Sequence, residues 1–235
     1  MLSPTLNDLH SFAVSVARLG RGLIAVRPVD IRPRTPLVLY DMEGCPSCRK
    51  VREVLSELDL AYISRPCARG SAVRDELAAR GGKVQLPYLV DADGGVERYG
   101  SEAIIDHLYA TWSRPRPWLC RVGAPVSSAA SALASVLRRR GVTVRPGCER
   151  RVQPAERLIL YSFEASPFYR KVREALHELN IEALVVNVAK RSPTRPELVA
   201  RGGKMQVPYL IDPGTGRELY ESDDIIRYLE ETYAP

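Results

Sequence analysis

The stretch Leu37 to Leu58, LVLYDMEGCPSCRKVREVLSEL, decides how the rest of the chain is read. Leu37 to Tyr40 is a short apolar run that reads as a buried strand, whereas Val51, Val54, Leu55 and Leu58 recur at i, i+3, i+4 and i+7 and mark one face of a helix. Cys45-Pro46-Ser47-Cys48 therefore falls at a strand-to-helix turn. Pro46 suits the first helical turn, where its missing N–H costs nothing, which sets Cys45 at or just before the cap, under free amide donors. A thiolate is stabilised in such a place. Helix N-termini and neighbouring cations, here Arg49 and Lys50, lower a cysteine pKa from about 8.5 to roughly 3.5–7.5.

Two other readings of the cysteine pair fit less well. A structural zinc site needs four ligands, usually with a second tightly spaced pair, but Cys67, Cys120 and Cys148 are single and His10, His107 and His177 are scattered. No metal is expected. An inert pair of small core residues is disfavoured by the polar Glu43, Gly44 and Ser47 around it.

Composition sets the outer limits. With 235 residues, 45% hydrophobic and 26% charged, the chain has room for one large or two small domains. No apolar run approaches the roughly 18 residues of a membrane span, and the first residues lack signal-peptide features, so no membrane span and a cytoplasmic location are expected. Five cysteines without a regular framework fit a reducing compartment, where Cys-x-x-Cys is more often redox-active than structural. The net charge of +6 is dispersed and aromatics are only 7%, so nucleic acid is not an expected partner.

The chain is also a repeat. A shift of 121 residues lays Leu37 on Leu158, Tyr40 on Tyr161, Pro87 on Pro208 and Ile105 on Ile226 without a gap, with roughly half the positions identical. Each copy reads as strand (Leu37 to Tyr40), helix (Pro46 to Leu58), strand (Ala61 to Arg65), helix (Val73 to Ala79), strand (Tyr88 to Val90), strand (Val96 to Arg98) and helix (Glu102 to Trp112). The expected fold is therefore α/β, two βαβαββα modules in tandem, with a right-handed crossover first and an antiparallel hairpin at Asp93-Gly94-Gly95.

The repeat extends upstream more loosely. Leu9, Phe12, Ala13 and Val16 form an apolar helix face ahead of Gly20 and Gly22, and Ala130, Leu133, Ala134 and Leu137 do the same ahead of Gly141. Both leaders run into an Arg-Pro, Arg27-Pro28 and Arg145-Pro146. The expected domains are a leader helix and connector over 1–36, module one over 37–114, a linker with its own leader helix over 115–157, and module two over 158–235.

With these residues in view, the CPSC turn, the LPYLVD after GGK and the closing YGSEAIIDHLY resemble the thioredoxin-fold module of glutaredoxins and of glutathione S-transferase N-terminal domains. The likeness covers about 75 residues of each copy, and the tandem form resembles glutaredoxin-like proteins with two modules. It implies that Pro87 and Pro208 are cis and that the backbones of Leu86 and Val207 meet the cysteinyl part of glutathione. Ser101 with Glu102, and Ser222 after Glu221, would take the γ-glutamyl carboxylate on the amides opening the final helix. Simple helix capping competes for both serines. Only five of the 34 basic residues are lysine, yet Lys83 recurs as Lys204 and Lys50 as Lys171. Lys83 and Lys204 suit the glycyl carboxylate, whereas a solvated flank explains Lys50 and Lys171 equally well.

Module two carries Ser166-Pro167-Phe168-Tyr169 where module one has its dithiol. It is either a thiol-free glutathione site, with Ser166 or Tyr169 bonding the bound thiolate, or a copy retained for packing, with Phe168 and Tyr169 bulky at the cleft mouth. The resemblance implies a glutathione-linked thiol-disulfide oxidoreductase. Cys45 would attack, Cys48 or glutathione would resolve, and the partners would be glutathione as co-substrate and protein or small-molecule disulfides. The alternatives are a glutathione transferase, for which each leader is short as an electrophile-binding domain, and a non-catalytic protein binding glutathione or an iron–sulfur cluster.

Overall fold

Alternation of short apolar runs with amphipathic helices builds each half of the molecule. The computed structural model describes residues 21–113, 115, 131 and 140–235. The first half runs β1 (Leu37–Asp41), α1 (Pro46–Glu57), β2 (Tyr62–Pro66), α2 (Val73–Gly81), β3 (Tyr88–Asp91), β4 (Val96–Tyr99) and α3 (Ser101–Trp112). The second repeats it as β5 (Leu158–Ser162), α4 (Pro167–Glu178), β6 (Ala183–Asn187), α5 (Arg195–Gly202), β7 (Tyr209–Asp212), β8 (Arg217–Tyr220) and α6 (Ser222–Tyr233). Both halves are thus βαβαββα modules of the thioredoxin type. The leader-helix residues Leu9, Phe12, Ala13, Val16, Ala130, Leu133, Ala134 and Leu137 lie outside the described residues, as does Cys120. Among the described residues no helix is long and apolar enough to cross a membrane.

The two modules share one eight-stranded sheet in the order β4-β3-β1-β2-β6-β5-β7-β8. In each, the first two strands are parallel, as a βαβ crossover requires, and the third and fourth run antiparallel. The join is an antiparallel pairing of β2 with β6: Tyr62 faces Val185, Ile63 faces Leu184 and Ser64 faces Ala183. Ile63 and Leu184 occupy equivalent places in the repeat, and the pairs on either side exchange their equivalents. A pseudo-twofold axis therefore passes through the Ile63–Leu184 pair, the geometry of a self-complementary dimer interface within one chain.

The helices sort by face. α1, α3, α4 and α6 lie on one side over a continuous core that includes Leu37, Leu39, Val54, Leu55, Ile105, Leu158, Leu160, Val172 and Ile225. α2 and α5 cover separate clusters around Tyr40 and Tyr88, and around Tyr161 and Tyr209. The predicted face of α1 is buried as expected, with Val51, Val54, Leu55 and Leu58 at most 2% exposed. Its opposite face is buried too, which periodicity alone does not anticipate: Arg49, Arg52, Glu53 and Ser56 are at most 1% exposed. Across the pseudo-twofold axis α1 faces its image α4 through the charged residues that precede each helix, and the leader segments at Gly22 and Gly141 cover the rest of the polar faces, Gly22 lying against Glu53 and Ser56 and Gly141 against Glu174.

Charges on those faces neutralise one another. Arg52 reaches Asp41 at 2.6 Å, Glu43 at 3.2 Å and Glu164 of the other module at 3.3 Å. Its counterpart Arg173 binds Glu43 and Glu164 in turn. Arg49 and Arg170 flank Glu43 at 3.9 and 3.6 Å. The Glu43 amide donates to His177 Nδ1 at 3.1 Å, and the Glu164 amide donates to Ser56 Oγ, the matching position, at 3.4 Å. Such a network is costly to desolvate and is retained only when each charge finds a partner.

The connectors cross over between modules. Ala25 N–H donates to the Lys190 carbonyl at 2.8 Å and Lys190 N–H returns to Leu23 at 2.9 Å. Symmetrically, Arg69 N–H donates to Val142 at 2.8 Å and Val144 N–H to Arg69 at 2.9 Å. Each connector then reaches its own module, Arg27 N–H donating to the Glu57 carbonyl and Arg145 N–H to that of Glu178, which are matched residues. Each leader segment thus bonds to both modules.

Candidate active site

Three separate turns meet at one end of the module-one sheet because of the strand register. Tyr40 pairs with Tyr88 and Tyr88 with Tyr99, so the residues just beyond those tyrosines lie side by side. They are the turn leading from Asp41 to Cys45, the Leu86-Pro87 bond entering β3, and Gly100-Ser101 opening α3. The Gly100 amide ties two of them together by donating to the Pro87 carbonyl at 3.2 Å. Leu86-Pro87 and Val207-Pro208 are both cis, as the resemblance implies. The predicted residues Cys45, Cys48, Leu86, Pro87 and Ser101 are therefore gathered by topology into one region.

Cys45 is the N-cap of α1, with extended backbone (φ −81°, ψ 118°) and Pro46 just inside the helix. The Cys48 amide donates to Cys45 Sγ at 3.3 Å. Both thiols are free; Cys45 is half-buried and Cys48 fully buried. Hydrogen bonds from the Cys48 side chain, then from its amide, and the nearby Arg52 charge outweigh burial and hold the Cys45 thiol down at about 7. Burial, and then the neighbouring Cys45, push the Cys48 thiol well above its ordinary value. The pair is thus divided into an outer thiol that ionises more readily and an inner thiol that burial keeps protonated. The cation among the main causes is Arg52, which the residue pattern did not single out. Lys50 is buried and bridges to Glu102, and Arg49 turns toward Glu43 and donates to the Ser131 carbonyl at 3.3 Å.

Other expectations change on the same grounds. Lys50 and Lys171 do not lie on a solvated flank; they are 5% and 2% exposed and tie the first helix of each module to its last through Glu102 and Asp223. Lys83 and Lys204 are exposed, their ammonium groups 4.9 and 4.5 Å from the ring centres of Tyr99 and Tyr220. Ser101 and Ser222 are not caps. The cap positions belong to Gly100 (φ 86°) and Glu221 (φ 66°), neither of which makes a side-chain cap bond, and the serines are the first residues of their helices. Gln206 donates to the Glu221 carboxylate.

The second module keeps the scaffold and changes the reactive atoms. Ser166 caps α4 and accepts the Tyr169 amide at 3.3 Å, yet it is only 3% exposed. Tyr169 is not at the cleft mouth: it is 1% exposed, lies in the shared core, and its ring takes the Arg173 guanidinium at 4.7 Å. That placement removes it as a donor to a bound thiolate. Phe168, by contrast, is exposed.

Sequence reasoning missed the charged layer beneath the dithiol. Its signal was in the repeat: Glu43, Arg49 and Arg52 recur unchanged as Glu164, Arg170 and Arg173 although both sulfurs between them are replaced. Identical charges on a nominally solvated face point to a role inside.

No curated protein matches the chain. Among solved structures, a trimeric glutathione transferase of Leishmania is similar at 15% identity, covering 86% of this chain and 68% of that one with a TM-score of 0.29. The family model for the glutathione S-transferase N-terminal domain matches twice, over residues 39–116 and 160–235, and its two matches coincide with the two modules. The chain therefore belongs to the glutathione S-transferase N-terminal domain family and carries that domain in tandem.

Proposed function

We propose that this protein is a glutathione-linked thiol-disulfide oxidoreductase whose chemistry is confined to module one. Membership of a glutathione-using family supplies the substrate class, and one observation carries the reaction type: a half-exposed Cys45 at a helix N-cap, its thiol held at about 7, with a second thiol one turn inside. In the first step the Cys45 thiolate attacks one sulfur of a substrate disulfide, a mixed disulfide forms, and the other sulfur leaves as a thiolate that takes a proton from water. Either a glutathione thiolate then attacks that bond and regenerates Cys45, or Cys48, once deprotonated, displaces the substrate thiol and closes a Cys45–Cys48 disulfide. Because burial keeps the Cys48 thiol protonated, resolution by glutathione is the favoured route on glutathionylated substrates.

Leu86, Pro87 and Ser101 are our candidates for holding glutathione beside Cys45, with Glu102 positioned by Lys50 and Lys83 reaching from the turn before Leu86. In module two the corresponding Ser166, Lys204, Val207, Pro208, Glu221 and Ser222 form a cleft without a nucleophilic sulfur, which we assign to packing. Reduction of a glutathione mixed disulfide, coupled to glutathione recycling, tests the proposal. Turnover is expected; conjugation of an electrophile by the same preparation without disulfide exchange would favour a transferase instead.

A further inference from the structure

Arg52 is a fully buried cation on the helix that carries the dithiol. It lies four residues after Cys48 and seven after Cys45, which puts the three on one side of α1 in successive turns. Its guanidinium donates upstream to Asp41 at 2.6 Å and to Glu43 at 3.2 Å, the residues that lead from β1 into the Cys45 turn. The same group donates from Nε to Glu164 at 3.3 Å, a residue of the other module. Both flanks of the turn and the partner module therefore converge on one buried cation.

We propose that Arg52 is the positioning residue of the redox site, and that module two, although it carries no chemistry itself, supports the site by holding Arg52 through Glu164. The inference rests on Cys45 being the nucleophile, as proposed above, and concerns what keeps it ionised. The Cys45 proton leaves to solvent while Sγ retains its electron pair, and the Arg52 charge favours that state from inside the helix turn. The charged and titratable groups around the site, among the described residues, include Cys48 and Arg49 on α1, Asp41 and Glu43 before it, Tyr62 on β2, Glu164 after β5, and Tyr169, Arg170, Arg173 and His177 on α4. Lys50 is engaged by Glu102 of α3. Three carboxylates thus face four guanidiniums in the network, and cross-bracing by Arg173 to Glu43 and Glu164 keeps Arg52 from being fully neutralised by either acid.

The test is the pH profile of Cys45 alkylation, read by mass spectrometry on the Cys45 peptide of the full chain, with three proteins compared. Wild type is expected to show a midpoint near 7. Arg52→Met/Glu164→Leu removes one charge of each sign, a replacement that buried ion pairs often tolerate, and should raise the midpoint by about one unit, slowing alkylation at pH 7 about fivefold. Arg52→Lys keeps the charge and should stay near the wild-type midpoint. An unmoved midpoint in a natively folded double variant overturns the proposal, and so does Arg52→Lys rising as far as the double variant; Arg52→Lys decides alone if the double variant does not fold. A wild-type midpoint near 7 without glutathione-dependent turnover would remove the proposed function and leave the role of Arg52 standing, whereas turnover with an unmoved midpoint would do the reverse.

Discussion

The two helix starts, Cys45 in module one and Ser166 in module two, use one backbone device for different ends. In both, a residue before a helical proline accepts the amide three residues on, at 3.3 Å in each. What differs is the atom at the cap and the residue beneath it. Module one has a sulfur that is half-open to solvent, over a small buried thiol; module two has a hydroxyl sealed at 3% exposure, over a tyrosine ring that fills the space and stacks on Arg173. A helix N-terminus therefore prepares a place for negative charge without making it reactive. A reactive cap needs a group that can ionise near neutral pH and access from solvent; the Cys45 cap combines the two features and the Ser166 cap has neither.

The largest effect that would break this comparison comes from the dithiol itself. We expect Cys45→Ser to abolish disulfide exchange and Cys48→Ser to retain turnover on glutathionylated substrates, measured in the coupled glutathione assay, because Cys45 carries the lowered thiol and Cys48 the raised one. The reverse ranking would reassign the nucleophile. A triple serine variant at Cys67, Cys120 and Cys148 should still turn over, once its folding has been checked.

The second prediction concerns the layer both modules share. Arg173→Met leaves Glu43 and Glu164 facing each other in a fully buried site with fewer cations, and removal of one partner from such a network costs about 3–5 kcal/mol. Urea denaturation of the full chain measures it. A loss below about 1 kcal/mol, the range of an exposed ion pair, would mean that the interface is wetter than its burial implies.

Much of this was legible in the residues. The strand-to-helix turn, the repeat at 121 residues and the βαβαββα order all follow from local patterns, since the helix period and the punctuation by proline and glycine are set within a few residues. What escaped was the relation between copies. Nothing local distinguishes a charged helix face that meets water from one covered by the other module, so Lys50 fitted a solvated flank, Arg49 read only as a cation near Cys45, and Arg52 drew no reading at all. The pairing of β2 with β6 depends on two edges finding each other, a property of the assembled sheet and not of either strand. Tyr169 misled for a related reason: counted from the helix start it belongs at a cleft mouth, but the helical turn carries it inward, where Cys48 sits in module one.

A third prediction uses the polar difference at matched positions, His177 and Ser56. The Glu43 amide donates to His177 Nδ1, which leaves the ring proton on Nε2, near Ser64 Oγ at 3.4 Å and Asp41 Oδ1 at 3.5 Å. Burial holds the imidazole pKa below its ordinary 6.5, against the pull of Asp41 and Glu43. In the window above 6.5 folded and unfolded chains are both neutral there and the stability is complete; as pH falls below 6.5 only the unfolded chain takes up the proton, so stability declines. We expect the urea midpoint to fall between pH 7 and pH 5, above the range where carboxylates titrate. His177→Ser, which copies Ser56, should flatten that slope, and an equal slope in the variant would assign the pH dependence elsewhere.

The smallest expected effect sharpens the comparison most directly. Ser166→Ala removes the hydroxyl that accepts the Tyr169 amide, and losing such a cap costs about 1 kcal/mol, enough to lower the melting temperature by a few degrees. Turnover should nevertheless stay within about twofold of wild type, since no contact to a reacting sulfur is lost if the chemistry belongs to module one. Glutathione binding to the full-length Cys45→Ser/Cys48→Ser protein, followed by calorimetry, separates the readings further: one site per chain keeps module two as a packing partner that acts through Glu164 and the shared sheet. Two sites per chain, together with a collapse of turnover in Ser166→Ala, would mean that the second cleft handles glutathione during the reaction, and that the sealed hydroxyl at 3% exposure opens when it does.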